Sequence, residues 1–135
     1  MSLASSFAGP ALVTLATTLL LFGCATYVGM MRGRHRIDAP AVSGHRELEI
    51  ALRIQANTVE NAVLFLPALW ICAAWLSPLW ATGFGVLWLA ARLWYALAYA
   101  GDPKKRSGGF GLSMLAFGAL ALAGAWGVLR ALLAG

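Results

Sequence analysis

Apolar residues in this chain gather into four long runs, and the charged residues fall mainly in two of the three gaps and at the start of the second run. The first run, about residues 7–31, carries no charge at all. At 1.5 Å of rise per residue it is long enough to cross about 30 Å of hydrocarbon. Leu21-Phe22-Gly23-Cys24 faintly resembles a lipoprotein cleavage box, but no Lys or Arg precedes the run, so it is read as a spanning helix rather than a signal. A connector, RGRHRIDAPAVSGH (Arg32–His45), follows, interrupted by Pro40, Ser43 and Gly44. The pattern then predicts helices over about 46–76, 80–100 and 108–133. The second opens amphipathically and is expected to kink at Pro67. Ser77-Pro78-Leu79, flanked by Trp75 and Trp80, makes a tight turn to the third. Gly101-Asp102-Pro103-Lys104-Lys105-Arg106 leads to the fourth, with Ser107 as its expected N-cap and Ala119, Ala123 and Gly127 as a small-residue seam.

Composition supports the membrane reading. Hydrophobic residues make up 61% and charged residues 11%, too few charges to coat a soluble domain. The expected fold class is an all-α integral membrane bundle of four transmembrane helices, a single domain over 1–135. A net charge of +5 would suggest nucleic acid in a soluble protein. Here the basic residues sit mostly in two connectors, so they read as topology determinants and no nucleic-acid partner is expected. The positive-inside rule puts loops 32–46 and 101–107 in the cytoplasm, with both termini and the tryptophan-flanked turn on the opposite side. Cys24 and Cys72 lie in apolar runs without CxxC spacing and read as small buried hydrophobes. His35 and His45, ten residues apart on a loop, are expected to be solvated, and no metal is expected.

Polar residues inside the spans need a reason. On the second helix Arg53, Asn57 and Glu60 fall within about 60° of one another, with Gln55 nearby. The third contributes Arg92, Tyr95 and Tyr99 on one face, and the fourth opens with Arg106-Ser107. Antiparallel packing brings these sets together at the cytoplasmic side. Arginine pairs with carboxylates through a fixed fork of N–H donors, and Glu60 can hold an ammonium, so a small zwitterionic peptide fits the inventory. On the residues alone, Arg53 and Glu60 could equally be an internal ion pair, and the two tyrosines could be interfacial anchors. No nucleophile triad or paired-carboxylate motif occurs, and GGFG at Gly108–Gly111 lacks the preceding strand and the lysine of a phosphate loop.

The R-x-Q-x-N-x-x-E pattern at Arg53, Gln55, Asn57 and Glu60, the A-R-L-x-Y-x-x-x-Y pattern over Ala91–Tyr99 and the later Arg106-Ser107 resemble the family of membrane-associated proteins in eicosanoid and glutathione metabolism (MAPEG). The resemblance covers about Arg32–Gly111. It implies a homotrimer with glutathione as cosubstrate between subunits. Arg53, Gln55, Asn57, Glu60, Arg92, Tyr95 and Tyr99 would hold the peptide, and Arg36 would be a further carboxylate contact. Arg106 would stand near the sulfur with Ser107 assisting. The implied activity is transfer or peroxidation with a lipophilic electrophile or lipid hydroperoxide. Asn61 stands where the leukotriene C4 synthase branch has Tyr, which argues against an eicosanoid substrate. A non-catalytic lipid-binding protein of the same fold is the alternative. A small multidrug exporter is disfavoured because the first span has no carboxylate.

Overall fold

The computed structural model describes residues 2–135, apart from the side chain of Leu3. Four long helices follow one another: α1 (Ala8–His35), α2 (Arg46–Trp75), α3 (Pro78–Gly101) and α4 (Ser107–Ala134). One turn of helix, Leu3–Ser6, precedes α1, and a 3-10 turn, Pro103–Lys105, joins α3 to α4. No strand occurs among the described residues. All four long helices are long and apolar enough to cross a membrane. Their outward faces carry large apolar side chains such as Leu19, Phe22, Leu97 and Leu122, each at least 66% exposed. A monomeric soluble protein does not tolerate so much exposed apolar surface, whereas lipid does. The protein is a multi-pass integral membrane protein.

Local chemistry sets most of the helix ends. His45 is extended (φ −152°), and its Nδ1 accepts the Glu47 N–H at 3.1 Å, capping α2. Ser77 caps α3 by accepting the Trp80 N–H at 3.4 Å, and Pro78 follows, where its missing N–H costs nothing. Two expectations need correction. α1 continues beyond Met31 to His35 and stops where Arg36 turns left-handed (φ 53°); cations in a last helical turn are favoured by the exposed carbonyls, so Arg32 and Arg34 extend the helix rather than end it. Ser107 does not cap α4: Arg106 before it is already helical (φ −67°, ψ −24°), which removes the extended geometry a capping side chain needs. α2 is continuous through Pro67.

The α1–α2 connector is tied down. Arg32 Nη1 donates to the Ala41 carbonyl at 2.7 Å and the Ile37 carbonyl at 3.3 Å. Glu47 accepts from His35 Nε2 at 2.9 Å and Arg34 Nη1 at 3.4 Å. The His35 and His45 rings stack 3.4 Å apart. The two histidines are therefore not independently solvated, because the folded connector carries the cap of α2 back over the end of α1. With Glu47 they place potential ligand atoms within 4.8 Å of one another, but Arg34 already engages that carboxylate. Arg32→Ala removes both carbonyl contacts. Limited proteolysis between residues 36 and 45 should then run roughly tenfold faster, the equivalent of about 1.4 kcal/mol of local opening.

In the core, Phe65 of α2 and Trp88 of α3, both fully buried, stack at 3.9 Å. α4 packs through Gly109, Ser113, Ala116, Leu120, Gly124 and Gly127. Of the seam expected at Ala119, Ala123 and Gly127, only Gly127 is buried. Strict four-residue spacing drifts around a 3.6-residue helix, and the contact stripe instead steps by threes and fours.

Candidate functional site

The inward stripe of α2 (Ile54, Thr58, Asn61, Ala62, Phe65) repeats at three- and four-residue spacing, as a helix buried on one side requires. Arg53 and Asn57 sit beside this stripe, at the edge where α2 meets its neighbours. Short loops make successive helices antiparallel, so α2 and α4 run parallel and the start of α2 lies beside the end of α3 and the start of α4. There the side chains bound a cleft of about 310 Å³ lined by Arg53, Asn57, Tyr95, Tyr99, Arg106, Ser107 and Phe110.

The cleft wall is braced by aromatic and cationic contacts. Tyr95 and Tyr99 meet edge to face at 5.6 Å, and the Arg106 guanidinium lies 5.5 Å over the Tyr99 ring. Arg106 Nη1 donates to the Pro103 carbonyl at 3.3 Å, which ties it to the 3-10 turn. Arg53 and Arg106 are exposed, and no carboxylate is among the lining residues. The ion pairs among the described residues are Arg34–Glu47 and His35–Glu47, so Arg53 and Glu60 do not form the internal pair that was the alternative for them. Two cations, tyrosine and serine hydroxyls and an amide facing one small cleft form a site for an anion with hydrogen-bond acceptors.

Not every candidate reaches this cleft. Arg92 lies behind it, fully buried, donating through Nη2 to Asn57 Oδ1 and Thr58 Oγ1, both at 2.9 Å. Glu60 is exposed on α2 and is not among the lining residues, because the cleft closes at the level of Asn57. Gln55, about 200° round the helix from Arg53, is half-buried elsewhere. Arg36 is exposed at the end of α1, also outside the lining. Phe110, which the sequence did not single out, supplies an apolar wall; its three-residue offset from Ser107 was the available signal.

A larger cleft, about 580 Å³, lies between α1 and α3 and is lined by residues such as Leu19, Cys24, Tyr27, Ile54, Leu93 and Leu97. With no charged residue lining it, it offers nothing to a peptide's carboxylates and suits an apolar guest. The smaller cleft, lined by Arg53, Arg106 and the Asn57 amide, is the one that offers partners to charged groups.

Comparison with known proteins agrees with the motifs. The MAPEG family pattern matches residues 10–126. Human microsomal glutathione S-transferase 2 is 32% identical over 126 residues, spanning 90% of this chain and 86% of that protein. An uncharacterized protein from Synechocystis is 38% identical over 106 residues, 78% of this chain and 77% of its own length. Leukotriene C4 synthase from Cavia porcellus is 33% identical over 96 residues, 71% of this chain and 64% of that enzyme.

Proposed function

The chain belongs to the MAPEG family, and from that premise we propose that it is a membrane-bound glutathione-dependent transferase or peroxidase. Its second substrates are lipophilic electrophiles or lipid hydroperoxides. One observation carries the reading: Arg53 and Arg106 face the same cleft with no carboxylate lining it. Glutathione brings two carboxylates and a thiol to such a place. Arg53 and Asn57 engage the peptide's charged and carbonyl groups, Tyr95 and Tyr99 form the wall, and Arg106, at the positive end of α4, stands beside the sulfur with Ser107. For a halogenated electrophile, the thiolate sulfur bonds to the electrophilic carbon and halide departs. For a hydroperoxide, sulfur takes one oxygen and the alcohol leaves, after which a second glutathione releases water and forms the disulfide.

The loops at 32–46 and 101–107 lie on the cytoplasmic side, where glutathione is available, and both termini lie opposite. The protein works as a homotrimer. Glu60 and Gln55, left outside the cleft of their own subunit, complete the neighbouring subunit's site and meet the peptide's ammonium and amide groups. The likeness to a glutathione transferase over nine-tenths of the chain supports this assignment.

Detergent-solubilised protein should conjugate a chlorinated dinitrobenzene, or reduce a lipid hydroperoxide, only when glutathione is present. Arg53→Ala should raise the KM for glutathione by about tenfold, the loss of one charge-assisted contact. Glutathione binding without turnover of either substrate class would overturn the catalytic part of the assignment, and lipid photolabelling independent of thiols would favour a non-catalytic lipid-binding protein.

A further inference from the structure

The arginine with the most unusual surroundings lies outside the lining of the cleft. Arg92 is 0% exposed in the third span, and among the described residues no carboxylate pairs with it. A buried guanidinium stays charged and carries donors only, so everything facing it must be an acceptor. Its Nη2 meets Asn57 Oδ1 and Thr58 Oγ1 at 2.9 Å, and its Nη1 meets Ser113 Oγ at 3.4 Å. Its Cζ lies 4.0 Å over the Tyr95 ring, and its Nε is buried without a partner. Ser113 passes the arrangement on by donating to the Phe110 carbonyl at 2.8 Å. Arg92 thus lies under the cleft, bonded to Asn57 on α2 and linked through Ser113 to Phe110 on α4.

These contacts decide which way the Asn57 amide faces. Oxygen and nitrogen ends of an amide are nearly the same shape, but the end against a guanidinium has to be the oxygen. A second donor faces the same oxygen: Asn61 Nδ2, held by its bond to the Asn57 backbone carbonyl at 2.9 Å, also reaches Asn57 Oδ1 at 3.4 Å. With its oxygen committed, Asn57 has only N–H groups left to offer the cleft it lines. We infer that Arg92 is a positioning residue that locks Asn57 as a hydrogen-bond donor, so that the site selects a ligand presenting a carboxylate or carbonyl oxygen at that point. The cleft is then lined chiefly by donors: two guanidiniums, the Asn57 amide N–H groups and hydroxyls, with a buried positive charge beneath. Identifying that ligand as glutathione rests on the function proposed above; the donor orientation does not.

Asn57→Asp tests this with a clear sign. Aspartate keeps an oxygen for Arg92 and gives it a full ion pair, so the variant should fold with a thermal midpoint at or above that of the parent. It has no N–H to give and adds a negative charge. Calorimetric affinity of the solubilised protein for glutathione should therefore fall at least about tenfold. Affinity within twofold of the parent, or tighter, would overturn the inference, because it would mean that Asn57 accepts from the ligand. Arg92→Met should also weaken binding, with Arg92→Lys between it and the parent; if Arg92→Met does not fold, Asn57→Asp alone decides. Glutarate, a dicarboxylate without thiol, separates the two claims. A parent that ignores glutathione but binds glutarate, with loss in Asn57→Asp, sinks the glutathione assignment and keeps the donor role. A parent that binds neither overturns both.

Discussion

Arg106→Ala is expected to lower conjugation turnover at pH 7 by roughly 10- to 100-fold while leaving glutathione affinity within a few-fold. A free thiol has a pKa near 8.5, so only a few per cent is thiolate at neutral pH, and the thiolate is the nucleophile. A cation within a few ångström lowers a neighbouring acid's pKa by roughly one to three, and the first turn of α4 adds its unpaired N–H groups. Its bond to the Pro103 carbonyl and its position over Tyr99 hold Arg106 at the cleft, where the proposed function sets it beside the sulfur. The sign follows from which form is charged. Stabilising the anion moves the rise of kcat with pH below 8.5, and removing Arg106 returns it upward. The deficit should therefore shrink as pH climbs past about 9, where thiolate forms unaided. A pH–rate profile of parent and variant measures this. A deficit constant across pH would assign Arg106 to substrate placement instead.

Gly109→Val should damage the fold and the cleft together. A Cβ at this position would sit 2.5 Å from the Tyr95 backbone nitrogen and 2.8 Å from the Ala91 carbonyl oxygen. Those atoms belong to the backbone of α3, which no rotamer change can move aside. α4 has to back away from α3, carrying Arg106 and Ser107 away from Tyr95 and Tyr99 and opening the cleft. Overpacking of this kind costs about 1–3 kcal/mol or more, which for a chain of this size lowers Tm by roughly 5–10 °C. Activity should be lost with it. Gly118→Ala is the control, since a Cβ there meets nothing within 4 Å. Thermal melts of both variants in the same detergent, read with glutathione binding, make the comparison.

The four spans were legible because lipid imposes long apolar runs, and the runs appear directly in the sequence. The end of α1 was not, because Arg32, Arg34 and His35 look like loop residues until their place beside the last helical carbonyls is known. The site was legible in part for a related reason. Helical spacing put Arg53 and Asn57 on one face, and antiparallel order brought Tyr95, Tyr99 and Arg106 to them. Angle on a helix does not say where a cleft closes, so Glu60 shares the stripe yet lies outside the lining. Arg92 shares a face with Tyr95, but its burial depends on Thr58 and Ser113, small polar residues in apolar runs on other helices. Nothing local in the sequence marks those two as acceptors for a guanidinium. The stacking of His35 on His45 likewise arises from a connector held by Arg32, a contact that residue spacing does not reveal.

The small polar cleft at the start of α2 is where the proposed function stands or falls. A cryo-electron microscopy structure of the detergent-solubilised protein with saturating glutathione addresses it directly. The expected map shows the tripeptide between Arg53, Asn57, Tyr95, Tyr99 and Arg106, its sulfur nearest Arg106 and a carboxylate on Arg53, with a second subunit closing the open side. An empty cleft at saturating glutathione, or density for the peptide elsewhere on the protein, would contradict the assignment.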